Sequence, residues 1–324
     1  MDVNPTKSKP TSLRDATAES HTSVSVVVPT RNRPSSVVRA VGSALSQTVP
    51  PREVVVVVDG PDADTVKALE DLRDRRIRIV ELPENGGPSR ARNVGVATCS
   101  GEWVAFLDDD DEWASKKLQS QLEYATEAHE WARIVVATGI ERRNNSTSDW
   151  WPRRSPSAHE RISDYLFVRR QRGEGYLQTS TIMLRRDLAL RCPFPEHLRI
   201  HEDYDWFIEL EKSGARFVVD LEPLVIFNTP DGRDSLSSSV QWHDSLSWIL
   251  SRRNDVSPQA FTDFCLTEVA RAARATHSFR GEAAIFCTAA TGKMTLFSAA
   301  RFVSICLMSE RMRRRIAAYV SRLA

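Results

Sequence analysis

Five consecutive valines, residues 54–58 within the stretch REVVVVVDG, constrain this chain more than any other feature. A run with no polar residue at alternate positions cannot be a strand with one face in water. Closed by Asp59-Gly60, it reads as a strand buried on both faces, of the kind that fills a parallel sheet covered by helices. A second β-branched run, VSVVVPT at 24–30, has the same character and is closed by Pro29.

The segments between these runs carry helical spacing. RPSSVVRAVGSALSQ places Val37, Val38, Val41, Ala44 and Leu45 on one face, and DADTVKALEDLRD is amphipathic. RIRIVELP is a third strand, NGGPSRARNVGVATCSG turns through glycines into a helix, and GEWVAFL is a fourth strand. Strand and helix alternate, so the expected class is α/β, with a mostly parallel (mixed) central sheet and helices on both faces. From about residue 116 the pattern changes. A helix (116–130) leads to the strand RIVVATGIERR, the loop NNSTSDWWPRRSPS, the strand YLQTSTIMLRR, a loop entering a helix in PFPEHLRIHEDYDWFIELEKSG, and closing strands in RFVVDLEPLVIF. The expected organisation is a disordered tail (1–21), a main domain at 22–230 divided near 115, and a helical C-terminal region (231–324) beyond the hinge DGRDSLSSS.

Composition narrows the function classes. Lys and Arg (44) nearly cancel Asp and Glu (43), leaving no global field to attract nucleic acid. Five scattered cysteines show neither zinc spacing nor a disulfide framework, which suits a reducing compartment. There is no signal-peptide core and no apolar run near the roughly 18–20 residues that span a bilayer, so the expected location is cytoplasmic.

The chemistry is announced by WVAFLDDDDEW at 103–113. One or two aspartates would serve as a strand stop and a helix cap; four, with Glu112, exceed that need because they repel one another. The other reading is a site whose missing positive charge is a bound cation. Strand alternation predicts that Asp108 and Asp110 share one direction and Asp109 and Asp111 the other, so a D-x-D pair can aim at one hard cation, Mg²⁺ or Mn²⁺. Pro29-Thr30-Arg31-Asn32, Asp59-Gly60 and Asp108–Asp111 all fall at the carboxyl ends of strands, where ligands gather in such sheets. NGG at 85–87, ahead of a helix with Arg90 and Arg92, adds N–H donors and positive charge for an anion, although a glycine pair is by itself more often only a turn.

Taken in order, VSVVVPTRN, SQTVPPREVVVVVDG, NGGPSRARNVGV, GEWVAFLDDDDEW and, about ninety residues later, FPEHLRIHEDYDW resemble the family 2 glycosyltransferases of GT-A fold over roughly residues 22–230. The resemblance implies a nucleotide-sugar donor, Mg²⁺ or Mn²⁺, inversion at the anomeric carbon, and a glycan or lipid-linked acceptor. It places Pro29, Thr30, Arg31, Asn32, Asp59, Arg90, Asp108 and Asp109 about the nucleotide sugar, with Asp59 on the nucleobase. Asp110 matches the metal ligand, Asp108 being the second choice; Asp203 matches the catalytic base, and Glu202 and Trp206 stand on the acceptor side. The chain departs from the family's pattern at Arg31-Asn32, often Tyr-Asn, and at Val58-Asp59-Gly60-Pro61, which keeps only the second of two aspartates. The nucleotide is thereby left open among UDP, GDP and dTDP. The C-terminal histidine of some GT-A metal shells has no firm counterpart; His243 in QWHDS stands nearest, an ordinary surface histidine being the other reading.

The residue types suit that chemistry. A metal on Asp110 would neutralise the departing diphosphate, and Asp203 would take the proton of an acceptor hydroxyl, whereas HEDYDW alone also suits a helix N-terminus. Trp206 has the core as its alternative, and DWWPRR reads equally as a sugar platform or a loop anchor. A basic amphipathic stretch, SERMRRRIAAYVSRLA, is read either as peripheral contact with the inner face of the membrane or as a docked terminal helix. Two other functions stay open: a nucleotidyltransferase, for which PTRNRPSS lacks the glycines of a phosphate loop, and a non-catalytic sugar-nucleotide or glycan-binding protein.

Overall fold

The computed structural model describes residues 23–127, 133–143, 148–171, 173–228, 241–276, 285 and 296–308. The expected tail at 1–21, the hinge DGRDSLSSS and the basic stretch from Ser309 onward lie outside the described residues. Parallel strands β1 (Val24–Thr30), β2 (Glu53–Val58), β3 (Ile77–Glu81) and β4 (Trp103–Phe106) alternate with helices α1 (Pro34–Leu45), α2 (Ala63–Glu70) and α3 (Pro88–Thr98). Then come β5 (Asp111–Trp113), α4 (Lys117–Glu127), β6 (Ile134–Arg143), β7 (Ser148–Trp151), α5 (Ile162–Phe167), β8 (Met183–Arg185), α6 (Arg186–Arg191), α7 (Glu202–Lys212) and β9 (Arg216–Asn228). One sheet runs β3-β2-β1-β4-β8-β6-β9-β5, with β7 paired to β6. Its first half is parallel as expected; β8 enters antiparallel between β4 and β6 and makes the sheet mixed.

The valine runs explain the layering. All five valines of β2 are fully buried. Val55 and Val57 point into the core that contains Ala91 and Val96 of α3, while Val54, Val56 and Val58 point into the core that contains Val37, Val41 and Leu69. Period-two geometry thus sends alternate valines of one strand into opposite cores. At Gly95 the α3 backbone comes so close to β1 that a Cβ would stand 2.4 Å from Val27 Cγ1. Gly95→Ala is therefore expected to cost about 1–3 kcal/mol by overpacking, read as a lowered denaturation midpoint at unchanged slope.

Four local expectations are corrected. Pro29 does not end β1; it lies in register opposite Val57. Leu107 N–H bonds Val27 O, so the donor that Pro29 lacks would face the side that β4 has by then left. DWW is not loop but β7, a short edge strand on β6. YLQTSTIMLRR supplies only the three residues of β8, because Thr179–Thr181 closes into a 3₁₀ turn first. The strand before the aspartates stops at Phe106, so Asp108–Asp111 form a turn closed by Asp111 N–H to Asp108 O at 3.1 Å.

Beyond the sheet, α8 (Trp242–Ser251) and α9 (Pro258–Phe264) follow, and α9 continues through a π-helical turn, Cys265–Val269, into α10 (Ala270–Ala275). Trp248, Ile249, Phe261 and Phe264 join the core of Tyr165, Phe167, Trp206 and Phe207, so these helices share the interior of the sheet domain. Arg252 grips Asp205 of α7 through Nε at 2.7 Å and Nη2 at 2.6 Å, and Trp248 Nε1 donates to the same carboxylate at 2.9 Å. No helix among the described residues is long and apolar enough to cross a membrane.

Candidate active site

Thr30, Asp59 and the aspartate turn meet at the carboxyl edge of the parallel strands. Both oxygens of buried Asp59 accept backbone N–H groups, from Gly86 at 2.7 Å and from Gly87 at 2.9 Å. Asp59 thus clasps the glycine loop. Gly87 has φ of 87°, which a side chain would strain, and caps α3 ahead of Pro88. Asn32, at φ of 53°, donates its N–H to Asp62 at 2.7 Å; it and Arg31 are exposed at the mouth of the site. Arg90 turns to Glu84 at 3.3 Å.

Because the aspartates occupy a turn, the alternation expected of a strand does not hold, and each carboxylate has its own partners. Asp108 takes Arg92 Nη2 at 2.7 Å, and its N–H donates to Ser180 Oγ at 3.0 Å. Asp109 is buried and accepts from Thr30 Oγ1 and Arg33 Nη1, both at 2.8 Å; burial nonetheless pushes its carboxyl up. Asp110 lies 3.1 Å from the same Arg33 nitrogen. Asp111 is 1% exposed, and its Oδ2 accepts from Ser180 Oγ at 2.6 Å and Gln178 Nε2 at 2.7 Å, whereas Oδ1 has no hydrogen-bond partner among the described residues. Burial, with the charges of Asp108 and Asp110, pushes this carboxyl well up.

The acidic pair opens α7 behind His201, whose φ of 59° turns the chain sharply into the helix. Asp203 Oδ1 accepts the N–H of Tyr204 at 2.8 Å. Burial, and then the charge of Glu202, push the Asp203 carboxyl up to about 7. Arg92 joins the pair to the aspartate turn: bonded to Asp108, its Nη1 stands 3.7 Å from Glu202, and its guanidinium lies over Phe194 at 5.2 Å. Arg92 is 5% exposed, and its Nε and Nη1 lack hydrogen-bond partners among the described residues. Trp206 belongs to the core, not to an acceptor pocket: it is 1% exposed, stacked on Phe194 at 3.9 Å, with Nε1 bound to Cys192 O. His243 is exposed at the start of α8 and stacks on Trp242. On β7, Trp151 lies under Arg142 at 4.4 Å and meets Tyr176 edge-on at 5.5 Å, while Trp150 is 52% exposed beneath Arg153.

Among the described residues no three His, Cys, Asp or Glu side chains converge into a metal cage. The donor set nevertheless fits a hard divalent cation. Asp108 and Asp110 stand on the turn beside the guanidinium groups of Arg92 and Arg33, and Asp111 Oδ1 has no hydrogen-bond partner among the described residues. A cation of the magnesium type uses one or two protein carboxylates and completes its shell with water and substrate oxygens. Arg33, Ser180 and Gln178 were not foreseen, and Arg92 was foreseen only as helix charge. Helical spacing could have placed Arg92 with Ala91, Gly95 and Val96 on the inward face of α3, where an unpaired cation would not be buried.

A family model described as Glycosyl transferase family 2 matches residues 25–192. The chain is 31% identical over 255 residues to the amylovoran biosynthesis glycosyltransferase AmsB of Erwinia amylovora, covering 74% of this chain and 82% of that protein. It is also 31% identical over 101 residues to the Escherichia coli UDP-Glc:alpha-D-GlcNAc-diphosphoundecaprenol beta-1,3-glucosyltransferase WfaP, covering 31% of this chain and 40% of that one. Among solved structures, S. aureus TarS 1–349 in complex with UDP-GlcNAc superposes with a TM-score of 0.56 at 20% identity, over 87% of this chain and 79% of that one.

Proposed function

The chain belongs to glycosyl transferase family 2 and has the GT-A fold, and we propose that it moves a sugar from a UDP-sugar to a hydroxyl of a glycan or lipid-linked acceptor, with inversion. The observation that carries this reading is the Asp203 carboxyl, held near pH 7 beside Glu202 and tied through Arg92 to the aspartate turn. UDP is favoured over GDP and dTDP by the complex of the structural neighbour and by the donor in WfaP's name.

Asp108 and Arg92, fixed on each other, orient the donor sugar; Asp59 holds the glycine loop in place at the nucleotide side by taking the N–H groups of Gly86 and Gly87. Asp110, with Asp108 as second ligand, would hold Mg²⁺ or Mn²⁺, which when bound offsets the negative charge developing on the diphosphate. The acceptor hydroxyl gives its proton to Asp203 Oδ as its oxygen attacks the anomeric carbon, and the sugar–phosphate bond breaks on the opposite face. Glu202 keeps this base from being too weak: its charge raises the proton affinity of Asp203. The nucleotidyltransferase alternative gains no support, since Thr30-Arg31-Asn32-Arg33 turns on Asp62 and Asp109 and not around glycine N–H groups.

A thermal-shift panel of UDP, UDP-sugars, GDP-mannose and dTDP-glucose, each with and without Mn²⁺, tests the donor. UDP and UDP-sugars should raise the melting temperature only with Mn²⁺, and Asp110→Asn should remove that dependence. Equal shifts for all nucleotides, or an Asp110→Asn protein that titrates like wild type, would overturn the donor and metal assignments respectively.

A further inference from the structure

Later in the chain than α10 stands one more helix, α11 (Leu296–Leu307), which packs on the π-helical turn and on α10. Its inward side is set by Ser298 and Ile305, both buried. Its outward side is unlike an ordinary protein surface. Leu296 is 91% exposed, Val303 51% and Leu307 77%, and Ala300 is exposed between them. These are all the exposed positions of the helix, and none carries a polar side chain. At 3.6 residues per turn the four side chains fall within an arc of about 60°, opposite Ser298 and Ile305. A surface helix ordinarily keeps that arc polar, and a contiguous apolar stripe marks a face that meets something other than water.

The charge that follows in sequence tells what kind of partner this is. Residues 309–324, SERMRRRIAAYVSRLA, hold five arginines against one glutamate. The whole chain has a net charge of only +1, so everything before Ser309 is net negative and this stretch concentrates the positive charge. Arg311, Arg313, Arg314 and Arg315 follow Leu307 by four to eight residues, which keeps them within about 30 Å of it whatever path the backbone takes. An apolar stripe with cationic charge in reach complements a bilayer with anionic headgroups. The helix is too short to cross one: its 12 residues span about 18 Å against a hydrocarbon core of about 30 Å. A second copy is the poorer match. A two-fold contact would set both groups of arginines side by side. Three aliphatic side chains also fall far short of the roughly 800 Å² that each partner buries in a stable dimer.

We propose that α11 docks the protein on an anionic lipid bilayer, with Leu296, Val303 and Leu307 entering the headgroup layer and the arginines beyond Ser309 drawn to lipid phosphates. One short stripe aided by arginines gives reversible attachment that salt weakens. The place of the helix in the fold suits this role. The π-helical turn on which α11 packs runs on from Phe264, whose ring meets Tyr204 at 6.4 Å and His201 at 5.3 Å at the head of α7. The docking face is thereby braced against the element that carries Asp203. The inference stands on the helix and its charge alone; joined to the proposed sugar transfer, it favours a lipid-linked acceptor over a soluble glycan.

Co-sedimentation of the full chain with vesicles tests the docking face, using phosphatidylcholine alone and phosphatidylcholine mixed with phosphatidylglycerol, each at low and high salt. The chain should pellet with the anionic vesicles at low salt, be released by high salt, and bind the neutral ones far more weakly. Val303→Gln combined with Leu307→Gln alters only exposed side chains and should weaken binding about tenfold or more. Arg313→Gln combined with Arg314→Gln should also weaken it about tenfold or more. Leu307→Trp should tighten it, an effect that a damaged helix would not produce. A full chain that stays in solution beside anionic vesicles at low salt would overturn the proposal. So would equal binding to neutral vesicles, or undiminished binding when Val303 and Leu307 are both glutamine. A concentration-dependent dimer that the same double variant dissociates, with no vesicle binding, would give the stripe to a second copy instead. Vesicle binding by a chain that ignores UDP with Mn²⁺ would sink the donor reading and leave the docking face standing.

Discussion

Asp203→Asn is expected to lower turnover by about two to four orders of magnitude while leaving UDP affinity with Mn²⁺ unchanged. The amide keeps the size of the carboxyl and its acceptor oxygen, so the Tyr204 N–H that meets Oδ1 retains a partner and the start of α7 is not disturbed. What disappears is the capacity to take a proton. Single-turnover rates and UDP titrations on the same preparation separate the two effects. Near-wild-type turnover would move the base elsewhere, and Glu202, on the same turn of α7, would be the next residue to replace.

The pH profile carries the same assignment in a form that folding defects cannot imitate. With the Asp203 carboxyl pushed up to about 7, the base is protonated below that pH. The rate should therefore fall about tenfold per unit on the acid side and level off above it, and Asp203→Asn should abolish this limb. Stability should run the other way. The folded-state value is raised above the unfolded 3.8, so the stability this group contributes is fully present below pH 3.8 and is lost as pH rises through 7. Asp203→Asn should flatten that part of the stability profile while it destroys activity, a pairing expected of a base held ready by burial and by Glu202.

Much of the frame was legible because it depends on local patterns. The valines of β1 and β2 could be only buried strands, and helical spacing placed α1 to α3 on the sheet. What could not be read was which residues from distant segments would meet. Asp59 clasping Gly86 and Gly87 joins residues 27 and 28 positions apart, and no period in the sequence encodes that. Ser180 and Gln178 reach Asp111 across separations of 69 and 67 positions, from a segment that read as strand because Thr and Ile are good strand formers. The aspartate turn deceived for a related reason: an apolar run shows where a strand begins, but its last residue is decided by pairing, and pairing of β4 with β1 stops at Phe106. Trp206 was within reach, since with Phe207 and Leu210 it completes the buried stripe of α7.

Arg92 shows how donor and acceptor sides depend on one buried cation, and its removal should disturb both. Arg92→Met keeps the apolar contact with Phe194 but leaves Asp108 and Glu202 together without a guanidinium between them. Breaking a buried ion pair by deleting one partner costs about 3–5 kcal/mol. Asp108 and Glu202 keep 24% and 20% of their side-chain surface in water, so the low end of that range, about 3 kcal/mol, is expected here. The catalytic consequence has a definite sign. Arg92 is one of the charges that hold the Asp203 carboxyl down, and without it that carboxyl moves further above 7. The acid limb of the rate profile in Arg92→Met should therefore shift toward higher pH, with activity partly recovered at alkaline pH; Arg92→Lys, which keeps the charge but not the planar fork, should shift it less. Equilibrium unfolding and pH–rate measurements on the two variants decide the matter. Loss of stability with an unmoved profile would reduce Arg92 to a structural ion pair, whereas a profile displaced in proportion to the lost charge would tie the aspartate turn to the acceptor base through this one side chain.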